Sequence, residues 1–316
     1  MRHILTVDQF TPQILEEIVE KSECHRLKIW QPITSSTPPP AHGKILTNLF
    51  YEPSTRTSSS FYSAMIKLGG HVIPINDVTF SSVVKGETLE DTIRTLECYS
   101  DVIVLRHKEV GAAQRAAAVS SVPIINAGDG IGEHPTQALL DFYTILSERG
   151  WANSDSMSKK KPIEDFINEN LTVTLMGDLK HGRTVKSLAK LLRMYNVKIN
   201  WISPEALKIP EDFLYPTDSQ YTNLNNVIKE TDVLYVVRTQ FERFDNTGFE
   251  LDTISYNVTE KHMAKAKSNM VLLHPLPRTE ELPISLDSDP RSAYFRQMKY
   301  GLYIRMALLD MILNVR

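Results

Sequence analysis

Between Phe50 and Thr57 the chain reads F-Y-E-P-S-T-R-T, and the residue types at its end suit an anion. A hydrophobic segment, Lys44 to Phe50, runs into a turn marked by Pro53, and four polar side chains follow: Ser54, Thr55, Arg56 and Thr57. Beyond them Phe61, Met65 and Leu68 repeat at helical spacing. Strand, turn and helix start therefore succeed one another. The hydroxyls and the guanidinium fall where a helix leaves its first N–H groups unpaired and carries partial positive charge. Arg56 adds a planar donor fork that fits phosphate oxygens. Taken alone, the tetrapeptide also fits an ordinary Ser/Thr helix cap with a solvent-facing arginine.

Further candidates have the same ambiguity singly. Arg106 follows the apolar run Val102 to Leu105, and open α/β sheets bind ligands at the carboxyl ends of their strands. His134 opens the turn His134-Pro135-Thr136-Gln137 after the glycine-rich Gly128 to Gly132. A helix N-terminus there disfavours a proton on the ring, which suits a neutral, hydrogen-bond-donating imidazole. Gln137 lies one turn on, on the same helix face. Glu52 reads either as a surface acid or as the partner of an arginine.

These residues need elements to position them. The 316 residues are enough for two domains of ordinary size, and 42% hydrophobic with 23% charged residues is a globular composition. A formal charge of −3 argues against a nucleic-acid binder. Two cysteines, Cys24 and Cys98, imply neither a disulfide framework nor a cysteine metal site, and they fit a reducing compartment. No apolar run is long enough to span a bilayer, and Met1 to Phe10 has no signal pattern, so the expectation is a cytoplasmic protein away from membranes.

Strands and helices alternate, which predicts an α/β fold with mostly parallel sheets flanked by helices. Candidate strands are Lys44–Phe50, His71–Ile75, Val102–Arg106 and Pro123–Asn126, then Leu171–Met176, Lys198–Ile202, Val233–Val237 and Met270–Leu273. Helical spacing marks Leu15–Trp30, Pro135–Arg149, Arg183–Tyr195 and Tyr294–Leu313. Trp151 to Asn170, with its Lys159-Lys160-Lys161 run, reads as an inserted surface loop with helical character in Ile163 to Asn168. Gly128 to Gly132 fails the spacing of a dinucleotide fingerprint, and no clustered His/Cys metal pattern occurs, so neither cofactor nor metal is expected.

The opening octapeptide resembles the carbamoyl-phosphate signature of the aspartate and ornithine carbamoyltransferases. Further blocks of that family follow in order: V-K-G-E-T at Val84, V-L-R-H at Val104, N-A-G-D-G-I-G-E-H-P-T-Q-A-L-L-D at Asn126, M-G-D-L-K-H-G-R-T-V at Met176, V-L-Y-V-V-R-T-Q at Val233 and H-P-L-P-R at His274. The resemblance spans nearly the whole chain. It implies two domains with the active site in the cleft between them. Residues 1–150, completed by the helix at 294–316, would bind carbamoyl phosphate, and 151–293 would bind the amino acid. The opening H-I-L-T-V-D-Q-F and D-S-D-P-R-S-A-Y-F-R-Q look most like the transcarbamoylase portion of eukaryotic multifunctional pyrimidine-synthesis proteins, so fusion to other domains of that pathway is possible on this reading.

The resemblance also implies roles. Ser54, Thr55, Arg56, Thr57 and Arg106 would hold the phosphate, and Thr57, Arg106 and His134 the carbonyl oxygen. Gln137 and the backbone carbonyls of Pro275 and Leu276, in a turn stiffened by Pro277, would accept from the carbamoyl NH2 group. Arg183, Arg238 and Gln240 match the positions that bind aspartate. Lys85 sits on a loop resembling one that enters a neighbouring subunit's site in a closed ring of three, accompanied by either Ser81 or Ser82. Pro275 stands where the ornithine enzymes have a cysteine, and the chain lacks their S-M-G element but has Arg238-Thr239-Gln240 where the aspartate enzymes have their own clamp, which favours L-aspartate over ornithine as the acceptor. A catalytically silent scaffold of the same fold would be expected to lose Arg56, Lys85, Arg106, His134 or Arg238, and all five are present.

Overall fold

The structure is a computed structural model that describes residues 2–28, 39–76, 86–151, 161–167, 171–240 and 256–314. The chain forms two compact units, Met1–Tyr143 with Met298–Arg316, and Thr144–Gln297.

In the first unit β1 (Ile45–Phe50), β2 (His71–Ile75), β3 (Val102–His107) and β4 (Ile124–Asp129) form a parallel sheet in the order β2-β1-β3-β4. The V-I-V segment of β3 is fully buried, as expected for a parallel strand covered on both faces. Its helices are α1 (Pro12–Lys28), α2 (Thr55–Lys67), α3 (Leu89–Glu97), α4 (Ala112–Val119) and the start of α5 (Pro135–Glu148). On α2 and just beyond it, Phe61, Ala64, Met65 and Leu68 are buried at the i, i+3, i+4, i+7 spacing that makes one apolar face. Thr88 starts α3 by accepting the Asp91 N–H on its hydroxyl at 3.1 Å.

The strand read at Pro123–Asn126 runs on to Asp129, although Asn126 to Asp129 contains one small apolar residue and no β-branched one. Its continuation is paired with β3: Asp129 stands opposite His107, beyond an irregularity between Leu105 and His107, and Gly130 N–H donates to the His107 carbonyl at 3.0 Å. On the other side Asn126 N–H donates to the Ile4 carbonyl at 2.7 Å and its side-chain amide to the Leu5 carbonyl at 2.9 Å, so long-range pairing overrides weak local propensity.

The second unit holds β5 (Thr172–Gly177), β6 (Lys198–Ile202), β7 (Ser219–Tyr221), β8 (Val233–Val237) and β9 (Val271–Leu273), again all parallel, in the order β7-β6-β5-β8-β9. Helices α6 (Ile163–Ile167), α7 (Arg183–Arg193) and α8 (Glu260–Lys265) belong to it, and α9 (Tyr294–Leu313) carries the chain back into the first unit. Of the expected surface insertion at 151–170, residues 152–160 and 168–170 lie outside the described residues, and α6 covers most of the segment with helical character. The short edge strand β7 and helix α8 were not anticipated. S-Q-Y has no apolar run, and β7 exists because the loop before it is clamped. Arg193 donates to the Phe213 carbonyl at 2.7 Å and to the Asp218 carboxylate at 2.6 Å, and stacks over the Tyr215 ring at 3.9 Å.

Each sheet reverses its strand order once, between β1 and β3 and between β5 and β8. At such a switch point the loops leave the sheet in opposite directions and expose the carboxyl ends of two neighbouring strands, the usual ligand position in open α/β sheets.

Candidate active site

At the first switch point, Phe50 and Arg106 are paired in register at the ends of β1 and β3, and Tyr51 N–H donates to the Arg106 carbonyl at 2.9 Å. The chain then turns through Pro53 into α2. Ser54 takes the cap position, but its hydroxyl does not cap the helix, so the first-turn N–H groups are not occupied by their own cap residue. Thr57 is buried, Ser54 half-buried, and Thr55 and Arg56 are exposed. The fully buried Asn48 of β1 fixes the helix start by donating to the Ser58 carbonyl at 3.1 Å, and the Ser58 hydroxyl donates to Asn76 at 2.6 Å. Arg106 donates through Nε to Glu52 at 3.2 Å and through Nη1 to the Ala127 carbonyl at 3.4 Å. Of the two readings of Glu52, surface acid or arginine partner, the structure shows the second, with Arg106 as the arginine.

β4 delivers His134 to the same edge of the sheet. Its last residue, Asp129, is 2% exposed; Oδ1 accepts the Glu133 N–H at 2.8 Å and the Asn126 amide at 3.2 Å, and Oδ2 accepts the Gly111 N–H at 2.8 Å. Gly130 adopts φ +51°, and a Cβ there would lie 2.4 Å from the Lys108 carbonyl oxygen, which is why the turn needs glycine. His134 follows directly, 3% exposed, and its carbonyl accepts the Gln137 and Ala138 N–H groups that open α5. A long contact of 3.5 Å joins His134 Nδ1 to the Thr136 hydroxyl, and with Thr136 as donor the ring proton sits on Nε2. Gln137 donates its amide NH2 to the buried Asp141 at 2.8 Å. That assignment leaves Oε1 as the acceptor. Beneath α5 and α2, Arg305 of α9 is buried, donates to Ser60 at 3.0 Å and stacks on Phe61 at 5.2 Å. Burial pulls its guanidinium down to about 10, with the Asp141 charge acting in the opposite sense.

The second switch point is built in the same way. Gly177 ends β5 at φ +121°, where a Cβ would lie 2.0 Å from the Val237 carbonyl oxygen of β8. Asp178, fully buried, accepts the His181 N–H at 3.1 Å and the Gln240 N–H at 3.2 Å, tying the loop before α7 to the segment after β8. Arg183 is the first residue of α7 and is 6% exposed. Arg238 is half-buried just past β8 and donates to the Thr239 carbonyl at 3.2 Å. After β9, Pro275 and Leu276 are half-buried and Pro277 is exposed. Leu276 has φ +56°, and the Leu276–Pro277 peptide is cis.

The structure thus gathers Ser54–Thr57, Arg106, His134 and Gln137 at one edge of the first sheet. Arg183, Arg238, Gln240 and Pro275–Pro277 gather at the corresponding edge of the second. Lys85, with Ser81 and Ser82, lies outside the described residues. Among the described residues no three His, Cys, Asp or Glu side chains cluster as metal ligands, and no helix is long and apolar enough to cross a membrane.

The carbamoyl-P binding domain of the aspartate/ornithine carbamoyltransferases matches residues 2–147, and the Asp/Orn binding domain of the same enzymes matches residues 169–312. The chain belongs to this family. It is 44% identical to the multifunctional protein pyr1-3 of Dictyostelium discoideum over 98% of this chain and 13% of that protein. It is 42% identical to the aspartate carbamoyltransferase catalytic subunit of Archaeoglobus fulgidus over 99% of both. The chain therefore spans about an eighth of the multifunctional relative and nearly all of the catalytic subunit. Aspartate transcarbamoylase of Trypanosoma cruzi superposes with a TM-score of 0.85 in complex with carbamoyl phosphate, at 40% identity and covering 98% of this chain and 96% of that one. Its complex with N-(phosphonacetyl)-L-aspartic acid gives 0.83, at 41% identity over 98% and 95%.

The family motifs named Arg56, Arg106, His134 and Arg183, but not the buried carboxylates that hold the neighbouring turns. Asp129 and Asp178 lie inside quoted motifs, N-A-G-D-G and M-G-D-L, and their positions at strand ends beside glycines were the available signal. Asp129→Asn should lower the unfolding free energy by about 1–3 kcal/mol, because one carboxylate oxygen becomes an NH2 group facing a backbone N–H. Urea unfolding of the full chain checks this, and an unchanged midpoint would show that Asp129 does not hold the turn.

Proposed function

We propose that this chain is an aspartate carbamoyltransferase, moving the carbamoyl group of carbamoyl phosphate to the α-amine of L-aspartate. The products are N-carbamoyl-L-aspartate and phosphate, a step of pyrimidine synthesis. The observation that carries the reading is the start of α2, which the Ser54 hydroxyl does not cap, with Ser54-Thr55-Arg56-Thr57 beside Arg106 on the neighbouring strand. Ser54, Thr55, Arg56, Thr57 and Arg106 hold the phosphate. Thr57, Arg106 and His134 donate to the carbonyl oxygen and stabilise the charge that builds on it. Gln137 and the carbonyls of Pro275 and Leu276 take the NH2 group, with Pro277 closing their turn. Arg183, Arg238 and Gln240, joined by Lys85, clamp the two carboxylates of aspartate. Its amine nitrogen attacks the carbonyl carbon, the bond from that carbon to the phosphate oxygen breaks, and the departing phosphate takes the amine proton. Positioning and charge stabilisation supply the acceleration, and no covalent enzyme intermediate forms.

The Trypanosoma cruzi enzyme, solved with carbamoyl phosphate and aspartate together, supports the same substrate pair here. Pro275 and Arg238-Thr239-Gln240 support aspartate over ornithine. We further propose that the first unit binds carbamoyl phosphate and the second aspartate. Active sites are shared around a homotrimer through Lys85, and the protein works in the cytoplasm, in keeping with two free cysteines. The multifunctional relatives support association with other domains of the pathway.

Carbamoyl phosphate should release phosphate when aspartate is added and not when ornithine is. Arg56→Ala should cost at least ~2–3 kcal/mol of transition-state stabilisation, about what one preorganised donor supplies. Phosphate release driven by ornithine, or an Arg56→Ala enzyme within a few-fold of the parent, would overturn the assignment. The shared site has its own test. When inactive Arg56→Ala and Lys85→Ala chains are reassembled in equal amounts, roughly a quarter of the sites should regain activity, since head-to-tail interfaces join an intact Arg56 to a neighbour's intact Lys85 that often. No recovery in proven mixed trimers would mean that Lys85 serves its own subunit.

A further inference from the structure

His274 leaves β9 fully buried, and both of its ring nitrogens are committed. Nδ1 accepts the Leu276 N–H at 2.8 Å. A backbone N–H can only donate, so the ring proton is on Nε2, which donates to Glu281 Oε1 at 2.8 Å. Glu281 also accepts from Thr279, through the N–H at 3.0 Å and through the hydroxyl at 2.6 Å. Burial pushes the Glu281 carboxyl up, but the donors from His274 and Thr279 outweigh it and hold the group at about 2. The carboxylate stays an acceptor and keeps the imidazole in one tautomer. The His274 N–H is taken in turn by Gln297 at 3.1 Å.

What this chain of bonds fixes is a peptide plane. The Leu276 N–H and the Pro275 carbonyl belong to the same rigid amide and point in opposite directions. Holding the N–H against His274 therefore aims the Pro275 oxygen away from the buried ring. Leu276 itself is held at φ +56°, a conformation a leucine does not keep without support.

We propose that His274 is a positioning residue that sets the carbonyl acceptors of the 275–276 turn, and through them the preference for a carbamoyl over an acetyl group on the phosphate. This rests on the reading in which those carbonyls receive the carbamoyl NH2. A carbonyl aimed at that position gains a hydrogen bond from NH2 and none from the methyl group of acetyl phosphate, so a misaimed carbonyl loses selectivity and leaves phosphate binding alone.

Two substitutions separate the bonds that His274 makes. His274→Asn keeps an acceptor near the Nδ1 position, and an asparagine oxygen readily takes the N–H two residues on. His274→Gln reaches Glu281 but has no acceptor where Nδ1 stood. With thermal midpoints confirming that both fold, the affinities of the full chain for carbamoyl phosphate, acetyl phosphate and inorganic phosphate are measured. The parent and His274→Asn should prefer carbamoyl phosphate to a similar degree. His274→Gln should lose about five- to tenfold of that preference, the worth of roughly one hydrogen bond, with inorganic phosphate affinity unchanged. Equal preference in both variants, or a parallel loss for all three ligands, would overturn the positioning role. A parent that binds acetyl phosphate as tightly as carbamoyl phosphate would overturn the carbonyl reading beneath it.

Discussion

A parallel strand cannot place its polar side chains freely, because its faces are covered by helices and a polar group in its middle is shut away from water and ligand alike, as Asn48 of β1 is. Chemistry is confined to the carboxyl ends, and a reversal of strand order is where two of those ends lie side by side with nothing crossing over them. Both sheets of this chain are wholly parallel and each reverses once. Every candidate ligand-binding residue in the described part of the chain lies at the carboxyl end of one of the strands β1, β3, β4, β5, β8 or β9, in the segment after it, or in the first turn or so of the next helix. The strand order thus decides where an arginine or a helix start can act.

The loops that leave these strand ends must hold their shape without a core of their own, and buried carboxylates do that work. Asp129 collects N–H groups from Gly111 and Glu133, and Asp178 from His181 and Gln240. Glu281 collects His274 and Thr279. Each replaces the water a carboxylate loses on burial with charge-assisted hydrogen bonds, which are stronger than neutral ones. Removing one leaves several backbone donors unsatisfied at once, so these turns are held to one conformation.

Much of this could be read in the sequence, for identifiable reasons. Apart from β7 and the end of β4, the strands are largely β-branched or apolar runs, with Arg106 at the end of β3 and Arg56 and His134 in the segments just beyond β1 and β4. β7 escaped because Ser219–Tyr221 is a polar edge whose pairing depends on the Arg193 clamp, contacts up to 25 residues apart. The end of β4 escaped because Asp129 pairs with His107 of β3, a tertiary contact that the small and polar run Asn126–Asp129 does not announce. Asp178 lies 62 residues from Gln240, and no local pattern announces that bond. His274 stood in a recognised block, but the direction of its ring nitrogens is a tertiary fact.

The central claim is that the anion cradle after β1 and the arginines after β5 and β8 serve one bound ligand. N-(phosphonacetyl)-L-aspartic acid, which carries a phosphonate and an aspartate in one molecule and is bound by the Trypanosoma cruzi enzyme, tests it directly by calorimetry. The intact protein should bind one molecule per chain. Arg56→Ala and Arg238→Ala should each weaken it at least about tenfold, since each removes a charged hydrogen-bonding partner of a different end. If either substitution left the affinity unchanged, the two sets of residues would not share a ligand.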